Sequence, residues 1–330
     1  MLCNGVFSGG GVRGIGHVGA VSAFEEYGYK FYRVAGTSAG AIVASLLASG
    51  YSGGELFGIM QKIDYQKFCE EKPINRIGIS GDIISLLLFY GIYSTEYFEK
   101  WLYDLLKYKN VETFGDLKIS QSEYKLQVTA SDITHSRLLV FPQDAVLFGI
   151  KPDEMNVARA VRMSISIPFF YKPVVLKDYA GKKHYIADGA LLSNYPIYLV
   201  DRYMNKTNIP TFGFKFINTD KTMLSTQDTC NNIVDYCKFT LKTMLSAQDN
   251  THISVSSGDY ARTVFTSVNI CVNGKEKIVG AADFDISFDE SYAMYLNGRE
   301  AGKKFLAEWN FNDWKDKYRN YKMSLTKIGK

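Results

Sequence analysis

The sequence has few cysteines and no long apolar run, and each absence excludes a class of protein. Its five cysteines, at positions 3, 69, 230, 237 and 271, are odd in number and none has CxxC spacing. This pattern predicts neither a disulfide framework nor a zinc site, and it is typical of reduced thiols in the cytosol. The longest apolar run, Ile83–Tyr90, is interrupted by Ser85 and is far shorter than the ~20 residues that span a bilayer.

The net charge is also small. At +4 it does not indicate a nucleic-acid partner, although the segment from residue 301 onward has eight basic residues and three acidic ones. That segment is either the solvated face of a terminal helix or a surface that contacts anionic lipid headgroups. The amino terminus shows no signal-peptide pattern, so we expect a cytoplasmic protein that is peripheral to membranes.

The composition is that of a soluble globular α/β protein. Of its 330 residues, 46% are hydrophobic and 22% are charged. The alternation of strand and helix over residues 2–48 predicts a βαβ unit, and therefore a mostly parallel central sheet with helices on its faces. No low-complexity linker or internal repeat divides the chain. We predict a core over residues 1–217 and a mainly helical extension over residues 218–330 that packs on the same domain.

A short motif, GTSAG at residues 36–40, joins a predicted strand to a predicted helix. A strand, a tight G-x-S-x-G turn and a helix describe a nucleophile elbow, with Ser38 at its apex. Gly36 and Gly40 leave room for strand and helix to approach each other. The new helix points free N–H groups toward the serine, where they favour developing negative charge. The alternative is a turn of small residues that contains a serine by chance.

A glycine-rich segment, SGGGVRG at residues 8–14, follows the first strand. It matches a dinucleotide-binding fingerprint, but the second strand ends at Val34–Ala35, where no acidic residue can bind a ribose. It is not a phosphate-binding P-loop either, because Ile15 follows Gly14 where a lysine is needed. A row of backbone N–H groups near a serine has the composition of an oxyanion hole. Nucleotide binding stays open as the minor alternative.

The four histidines offer no compelling general base for a serine hydrolase. His17 lies in the helix after the glycine loop, and we expect it to be structural. His135 lies in a polar turn, and His184 follows two lysines, so we expect it to be exposed. No motif surrounds His252, which stays open as a candidate.

Asp188 is a better candidate for the base. It follows a predicted strand, precedes Gly189, and lies 188 − 38 = 150 residues after Ser38. An aspartate at the end of a strand in a parallel sheet faces the same edge as the elbow. The plain alternative is an Asx-turn at the end of a strand.

Taken together, three motifs resemble those of the patatin-like phospholipase family: SGGGVRG (residues 8–14), GTSAG (residues 36–40) and DGA (residues 188–190). SISIPFFYKP at residues 164–173, Asn194–Tyr195–Pro196 and TASD at residues 129–132 are similar to the family as well. The resemblance spans residues 5–217, and it continues more weakly at residues 245–249 and around Gly298. It implies a three-layer α/β/α sandwich.

The resemblance also implies a Ser–Asp dyad without a required histidine, in which Ser38 is the nucleophile and Asp188 the general base. Burial must then raise the pKa of Asp188 for efficient proton removal near neutral pH. Arg13 either steadies the glycine loop, which we favour, or meets a lipid phosphate. The residues assigned to the oxyanion hole are Gly9, Gly10, Gly11 and Ala39, and the supporting residues are Arg13, Gly36, Gly40 and Gly189.

The activity implied is that of a serine esterase that cleaves fatty-acyl esters of phospholipids or lysophospholipids through an acyl-serine intermediate. This scheme requires no cofactor and no metal, and the sequence shows no metal-ligand cluster. A soluble thioester or an acyl acceptor is the alternative substrate. The extension leaves room for an unidentified activator, and Ile83–Tyr90 is either a lid beside the site or part of the core.

Overall fold

The computed structural model describes residues 1–63, 67–68, 79–201, 208–218, 229–233, 235–237, 239–240, 243 and 258–320. Several predictions concern residues outside these ranges. They are His252, the basic residues at 322, 327 and 330, and the motif at 245–249. The sequence pattern also predicts helices over residues 196–204 and about 231–246, and parts of both lie outside the described ranges.

The strands, in chain order, are β1 (Leu2–Phe7), β2 (Lys30–Thr37), β3 (Gly91–Tyr93), β4 (Lys118–Ser120), β5 (Glu123–Tyr124), β6 (Leu126–Asp132), β7 (Arg137–Phe141), β8 (Phe169–Tyr171), β9 (Val174–Lys177), β10 (Lys183–Asp188), β11 (Thr211–Ile217), β12 (Thr263–Ser267), β13 (Asn269–Val272) and β14 (Lys275–Ile278). The helices are α1 (Gly14–Glu26), α2 (Ala39–Ala48), α3 (Gly53–Met60), α4 (Ile79–Phe89), α5 (Glu96–Tyr108), α6 (Val157–Ser164), α7 (Phe288–Glu308) and α8 (Phe311–Lys315). A further helix is described over residues 198–201.

Eight strands form one mixed central sheet in the order β12-β11-β1-β2-β6-β10-β9, with β7 also paired to β6. The pairings from β12 to β6 are parallel, as predicted for the βαβ unit. The pairings of β10 with β6 and β9, and of β7 with β6, are antiparallel. The expectation that Asp188 ends a strand running parallel to the elbow strand is therefore wrong, because β10 runs in the opposite direction.

This antiparallel strand brings the two catalytic candidates together. β7 pairs with β6 along one edge, from Val128 to Asp132. On the other edge β2 ends with Thr37 opposite Thr129, and β10 ends with Asp188 opposite the next residue, Ala130. The two strands therefore meet end to end on one edge of β6, so that their last residues become neighbours.

Helices cover the sheet on both faces, in the three layers expected. Neighbouring residues of a strand point to opposite faces, and Phe7 packs into the large core that includes α1, α2, α5 and α6. Val6 packs on the other face, against Ala35, Ile197 and Val200 near the helix at 198–201. The buried helices next to the elbow are rich in small residues, which let the helix backbones lie close to the sheet.

The C-terminal helix α7 packs against α1 through glycines. A Cβ atom on Gly298 would lie 1.8 Å from the carbonyl oxygen of Gly16, and one on Gly19 would lie 2.0 Å from that of Tyr295. Further along the two helices, the rings of Phe24 and Phe305 stack at 6.1 Å. The backbones are thus close enough that no side chain fits between them, and the extension is anchored on the first helix of the core.

We expect Gly298→Ala to lower the free energy of unfolding by about 1–3 kcal/mol, since its methyl group must push two backbones apart. Gly58→Ala in α3 is the matched control, because a Cβ there meets nothing within 4 Å. That change should raise the free energy of unfolding by up to about 1 kcal/mol through helix propensity. Urea unfolding followed by circular dichroism measures both, and equal effects of the two substitutions would contradict the close packing.

The apolar segment Ile83–Tyr90 lies largely on the surface. Within it, Leu87 is 73% exposed and Leu88 62% exposed, whereas Ser85 is buried and donates to the carbonyl of Gly91 at 2.8 Å. The interpretation of this segment as plain core is therefore wrong for its exposed side chains, and its role as a lid stays a prediction. Among the residues described, no helix has the length and apolar character needed to cross a bilayer.

Candidate active site

Ser38 lies at the apex of the elbow between β2 and α2. Its backbone has φ 53° and ψ −124°, a conformation that costs a non-glycine residue about 1–3 kcal/mol and is common at functional sites. Glycine is required at both flanking positions because neighbouring backbone segments lie too close for a side chain. A Cβ on Gly36 would lie 2.3 Å from the carbonyl oxygen of Gly40, and one on Gly40 would lie 2.2 Å from that of Phe7. A side chain at either position would therefore force the strand and the helix apart.

The serine and the aspartate form a direct hydrogen bond. Ser38 Oγ donates to Asp188 Oδ2 at 2.7 Å, although 150 residues separate the two in the chain. The other carboxylate oxygen, Oδ1, accepts the N–H of Ala190 at 2.8 Å. The turn that carries Ala190 packs tightly, since a Cβ on Gly189 would lie 2.6 Å from the carbonyl oxygen of Thr129. The carboxylate is thereby held with one oxygen facing the hydroxyl.

Burial changes the acidity of this carboxyl group. Asp188 is 1% exposed, and burial raises its pKa to about 7, while the hydrogen bonds from Ser38 and Ala190 act in the opposite direction. A base whose pKa lies near neutrality is matched to proton transfer at physiological pH. The predicted elevation is thus present, and its cause is desolvation of the charged form.

The glycine loop lies against the serine. A Cβ on Gly9 would lie 2.4 Å from Asn194 Oδ1 and 3.2 Å from Ser38 Cβ, so a side chain at this position would force its neighbours to move. The N–H of Gly9 donates to the carbonyl of Asn194 at 3.1 Å. Gly9 was expected to contribute its N–H group to the oxyanion hole, but that group already donates to Asn194. Gly9 instead allows the loop to pass close to Ser38. Within the described part of the chain, the N–H groups of Gly10, Gly11 and Ala39 have no hydrogen-bond partner, as an oxyanion hole requires.

The side chain of Arg13 packs against the glycine loop. Its Nε donates to the carbonyl of Gly10 at 3.0 Å, and its guanidinium lies over the ring of Phe216 at 5.3 Å. The same ring lies where a Cβ on Gly10 would point, 2.4 Å away. These contacts match the loop-steadying alternative for Arg13.

Three supporting contacts have no counterpart in the sequence predictions. Ser164 Oγ accepts the N–H of Ser38 at 2.8 Å, and the carbonyl of Ser166 accepts the N–H of Asp188 at 2.8 Å. Both serines belong to the segment SISIP, which was noted only as a resemblance. The third contact comes from the extension, where the carbonyl of Ala281 accepts the N–H of Val12 at 3.1 Å. No sequence signal that we recognise marks Ala281.

None of the described histidines forms a hydrogen bond with the serine hydroxyl. His17 is fully buried, Nε2 hydrogen-bonds the carbonyl of Ser8 at 2.9 Å, and burial lowers its pKa to about 3, so it is structural as expected. His184 was expected to be exposed, but only 12% of its side chain is accessible. The reason is that it lies within β10 and packs edge-on against Phe148 at 5.2 Å. His135 lies in the turn after β6, with 37% of its side chain accessible.

The comparison with known families agrees with this geometry. A family model described as Patatin-like phospholipase matches residues 5–201, which is more than half of the 330 residues. The chain belongs to the patatin-like phospholipase family. The match begins within β1 and covers the elbow, β6 and β10, the elements that carry Ser38, Asp188 and the strand between them.

The proteins to which this chain is similar differ in how much of it they share. The uncharacterized protein YqhO of Bacillus subtilis (strain 168) is 34% identical over 315 residues, which cover 94% of this chain and 100% of that protein. Lysophospholipase NTE1 of Eremothecium gossypii is 27% identical over 194 residues, or 58% of this chain and 10% of that protein. The crystal structure of VipD from Legionella pneumophila has a TM-score of 0.53 at 17% identity and shares the fold over 92% of this chain and 66% of its own.

Proposed function

We propose that this patatin-like hydrolase cleaves fatty-acyl esters of phospholipids or lysophospholipids through an acyl-Ser38 intermediate. The observation that carries the proposal is the 2.7 Å hydrogen bond between Ser38 Oγ and a buried Asp188 carboxylate. A hydroxyl is a weak nucleophile until a neighbouring base removes its proton, and Asp188 is placed to do so. The family match and the similarity to a protein named lysophospholipase support a lipid ester as substrate.

The reaction has two halves. In the first, Asp188 takes the hydroxyl proton as Ser38 Oγ attacks the ester carbonyl, and the N–H groups of Gly10, Gly11 and Ala39 stabilise the oxyanion. The C–O bond then breaks, Asp188 returns the proton to the leaving alcohol, and the acyl group stays on Ser38. In the second, Asp188 deprotonates a water that attacks the acyl ester, which releases the fatty acid and restores the hydroxyl. The scheme uses no cofactor.

Exposed apolar side chains near the dyad support a lipid substrate. Leu192, four residues after Asp188, is 43% exposed, and Phe169, three residues after Ser166, is 40% exposed. Strand β8, which begins at Phe169, pairs with β3, and β3 follows α4 with its exposed leucines. A surface of this kind can contact acyl chains where they leave a membrane, in keeping with a cytoplasmic enzyme that is peripheral to membranes.

The test compares three substrates: vesicles of phosphatidylcholine, micelles of lysophosphatidylcholine and a monomeric short-chain acyl thioester. Mass spectrometry identifies the products, and a fluorophosphonate probe followed by peptide mapping identifies the labelled residue. We expect fatty-acid release from the vesicles and micelles. The rate of this release should fall in proportion to the fraction of Ser38 that the probe has labelled. Cleavage of the thioester alone would establish the soluble-substrate alternative, and full activity after complete labelling would refute the acyl-serine intermediate.

A further inference from the structure

Two histidines and an aspartate converge on one point at the end of β6. Asp132 is the last residue of β6, His135 lies in the turn that follows, and His184 lies on the neighbouring strand β10. The Nδ1 atoms of both rings face the same oxygen, Asp132 Oδ2, at 3.1 Å from His135 and 2.7 Å from His184. One ligand atom from each of the three residues lies within 4.8 Å of the others.

We propose that Asp132, His135 and His184 bind a divalent transition metal ion of the zinc class. Imidazole nitrogens with a carboxylate oxygen suit Zn²⁺ and its neighbours, and three protein ligands leave a coordination position for water. Zinc–ligand bonds of about 2.0–2.2 Å allow neighbouring ligand atoms to stand roughly 3 Å apart. The two nitrogen–oxygen distances of 3.1 Å and 2.7 Å already match this separation, whereas the three ligand atoms as a set lie within 4.8 Å of one another and must move closer together as the ion enters.

The surroundings of His184 point to the same conclusion. Its Nδ1 faces Asp132 and its Nε2 lies 3.5 Å from Asp178 Oδ2, so the ring stands between two carboxylates. A neutral imidazole has one N–H, which leaves one nitrogen lone pair facing a carboxylate. A metal ion on Nδ1 uses that lone pair and leaves the Nε2 hydrogen for Asp178. A carboxylate behind a metal-bound histidine is the usual means of orienting such a ligand.

The remaining hydrogen bonds of the cluster do not occupy the three atoms that would bind the ion. Asp132 is 2% exposed, and its second oxygen, Oδ1, accepts the N–H of Thr134 at 3.0 Å, so Oδ2 is left for the ion. Lys182 Nζ lies 3.1 Å from His135 Nε2 on the exposed side. When His135 binds the ion through Nδ1, its Nε2 carries a hydrogen and can no longer accept from Lys182, so the lysine side chain must move away. The positive charge of Lys182 also repels the ion. Removing Lys182 should therefore favour binding.

The ion would clamp the β6–β7 turn to β10. His184 precedes Asp188 by four residues, which is about 13 Å along a strand, too far for the ion to touch an ester held at Ser38. We therefore expect a stabilising metal that holds the strand of the general base in place, and its binding does not depend on the proposed lipase activity.

The experiment uses full-length protein that has been stripped with EDTA and titrated with Zn²⁺ by calorimetry, and with Co²⁺ by visible absorption. We expect one tight site in the wild type, a zinc-dependent rise in Tm, and at least tenfold weaker binding in His135→Ala and in His184→Gln. Lys182→Ala is the matched control, because it contacts His135 without being a ligand, and it should bind at least as tightly as the wild type.

Circular dichroism establishes that each variant is folded. If His184→Gln does not fold, the partly exposed His135 carries the test alone. Wild-type protein that shows no Co²⁺ spectrum and no zinc-dependent rise in Tm would overturn the proposal and leave the three side chains joined by hydrogen bonds only. Binding that is equally tight in His135→Ala would place the ion elsewhere and would overturn it as well.

Discussion

Ser38→Ala is expected to lower kcat for lipid ester hydrolysis by roughly 10⁴- to 10⁶-fold, which is the range for removing a serine nucleophile. The substitution deletes the atom that forms the acyl bond, and no other described hydroxyl donates to Asp188. The fold should survive, because the N–H of Ser38 still donates to Ser164 Oγ and the backbone of the elbow is unchanged. Fatty-acid release from lipid vesicles measures the rate.

Ser45→Ala is the matched control for this change. Ser45 is buried on the same helix, α2, and donates to the carbonyl of Ile42 at 2.8 Å, away from the dyad. It should retain activity within a few-fold of the wild type. If Ser38→Ala kept more than about a hundredth of the wild-type rate, another residue would have to be the nucleophile.

The local parts of the site were predictable because short-range rules govern them. A serine with a glycine two residues away on either side, at the junction of a β-branched run and a helix-forming run, predicts a nucleophile elbow, and Ser38 has the positive φ of that turn. The residues Arg137–Phe141 likewise carry a strand signal in the sequence, and β7 has these bounds. Alternation and turn residues act over a few positions and leave a visible pattern.

The long-range parts were not predictable in the same way. The pairing of β10 beside the end of β2 depends on which edge of β6 is free, and no residue of β10 encodes this locally. His184 was misjudged because its sequence neighbours are lysines, whereas its burial comes from Phe148 and from β6. The contact of Ala281 with the glycine loop is a backbone hydrogen bond, which any residue type could make.

Asp188→Asn is expected to lower kcat by roughly 10³- to 10⁴-fold, since it removes the general base and keeps the shape of the side chain. In the wild type, kcat/KM should rise about tenfold per pH unit up to about pH 7 and level off above it, because the deprotonated carboxylate is the active form and burial raises its pKa to about 7. The residual activity of the variant should lack this transition. A wild-type rate that is flat between pH 5 and pH 8 would contradict the assignment of Asp188 as the base.

The same carboxyl group links stability to pH. Its pKa is about 7 in the folded protein and about 3.9 in an unfolded chain, so the folded state binds a proton that the unfolded state has released. Its contribution to stability is thus fully present below about pH 4 and is lost as the pH rises to about 7. Three pKa units correspond to at most about 4 kcal/mol, and the single oxygen of an asparagine, which replaces two that accept from Ser38 and Ala190, offsets part of this.

We therefore expect the free energy of unfolding of Asp188→Asn, relative to that of the wild type, to rise by up to about 4 kcal/mol between pH 4 and pH 7 and to rise no further above pH 7. After the loss of a hydrogen bond, the variant should be about 1–3 kcal/mol more stable than the wild type at pH 7. Urea unfolding at four pH values across this range measures the difference. A difference that does not change with pH would mean that Asp188 is already charged in the folded protein at pH 4. Burial raises the pKa of Asp188 to about 7, which suits the carboxylate to remove the proton of Ser38. The same burial lowers the free energy of unfolding near neutral pH, so the reactivity of Ser38 comes at a cost in stability.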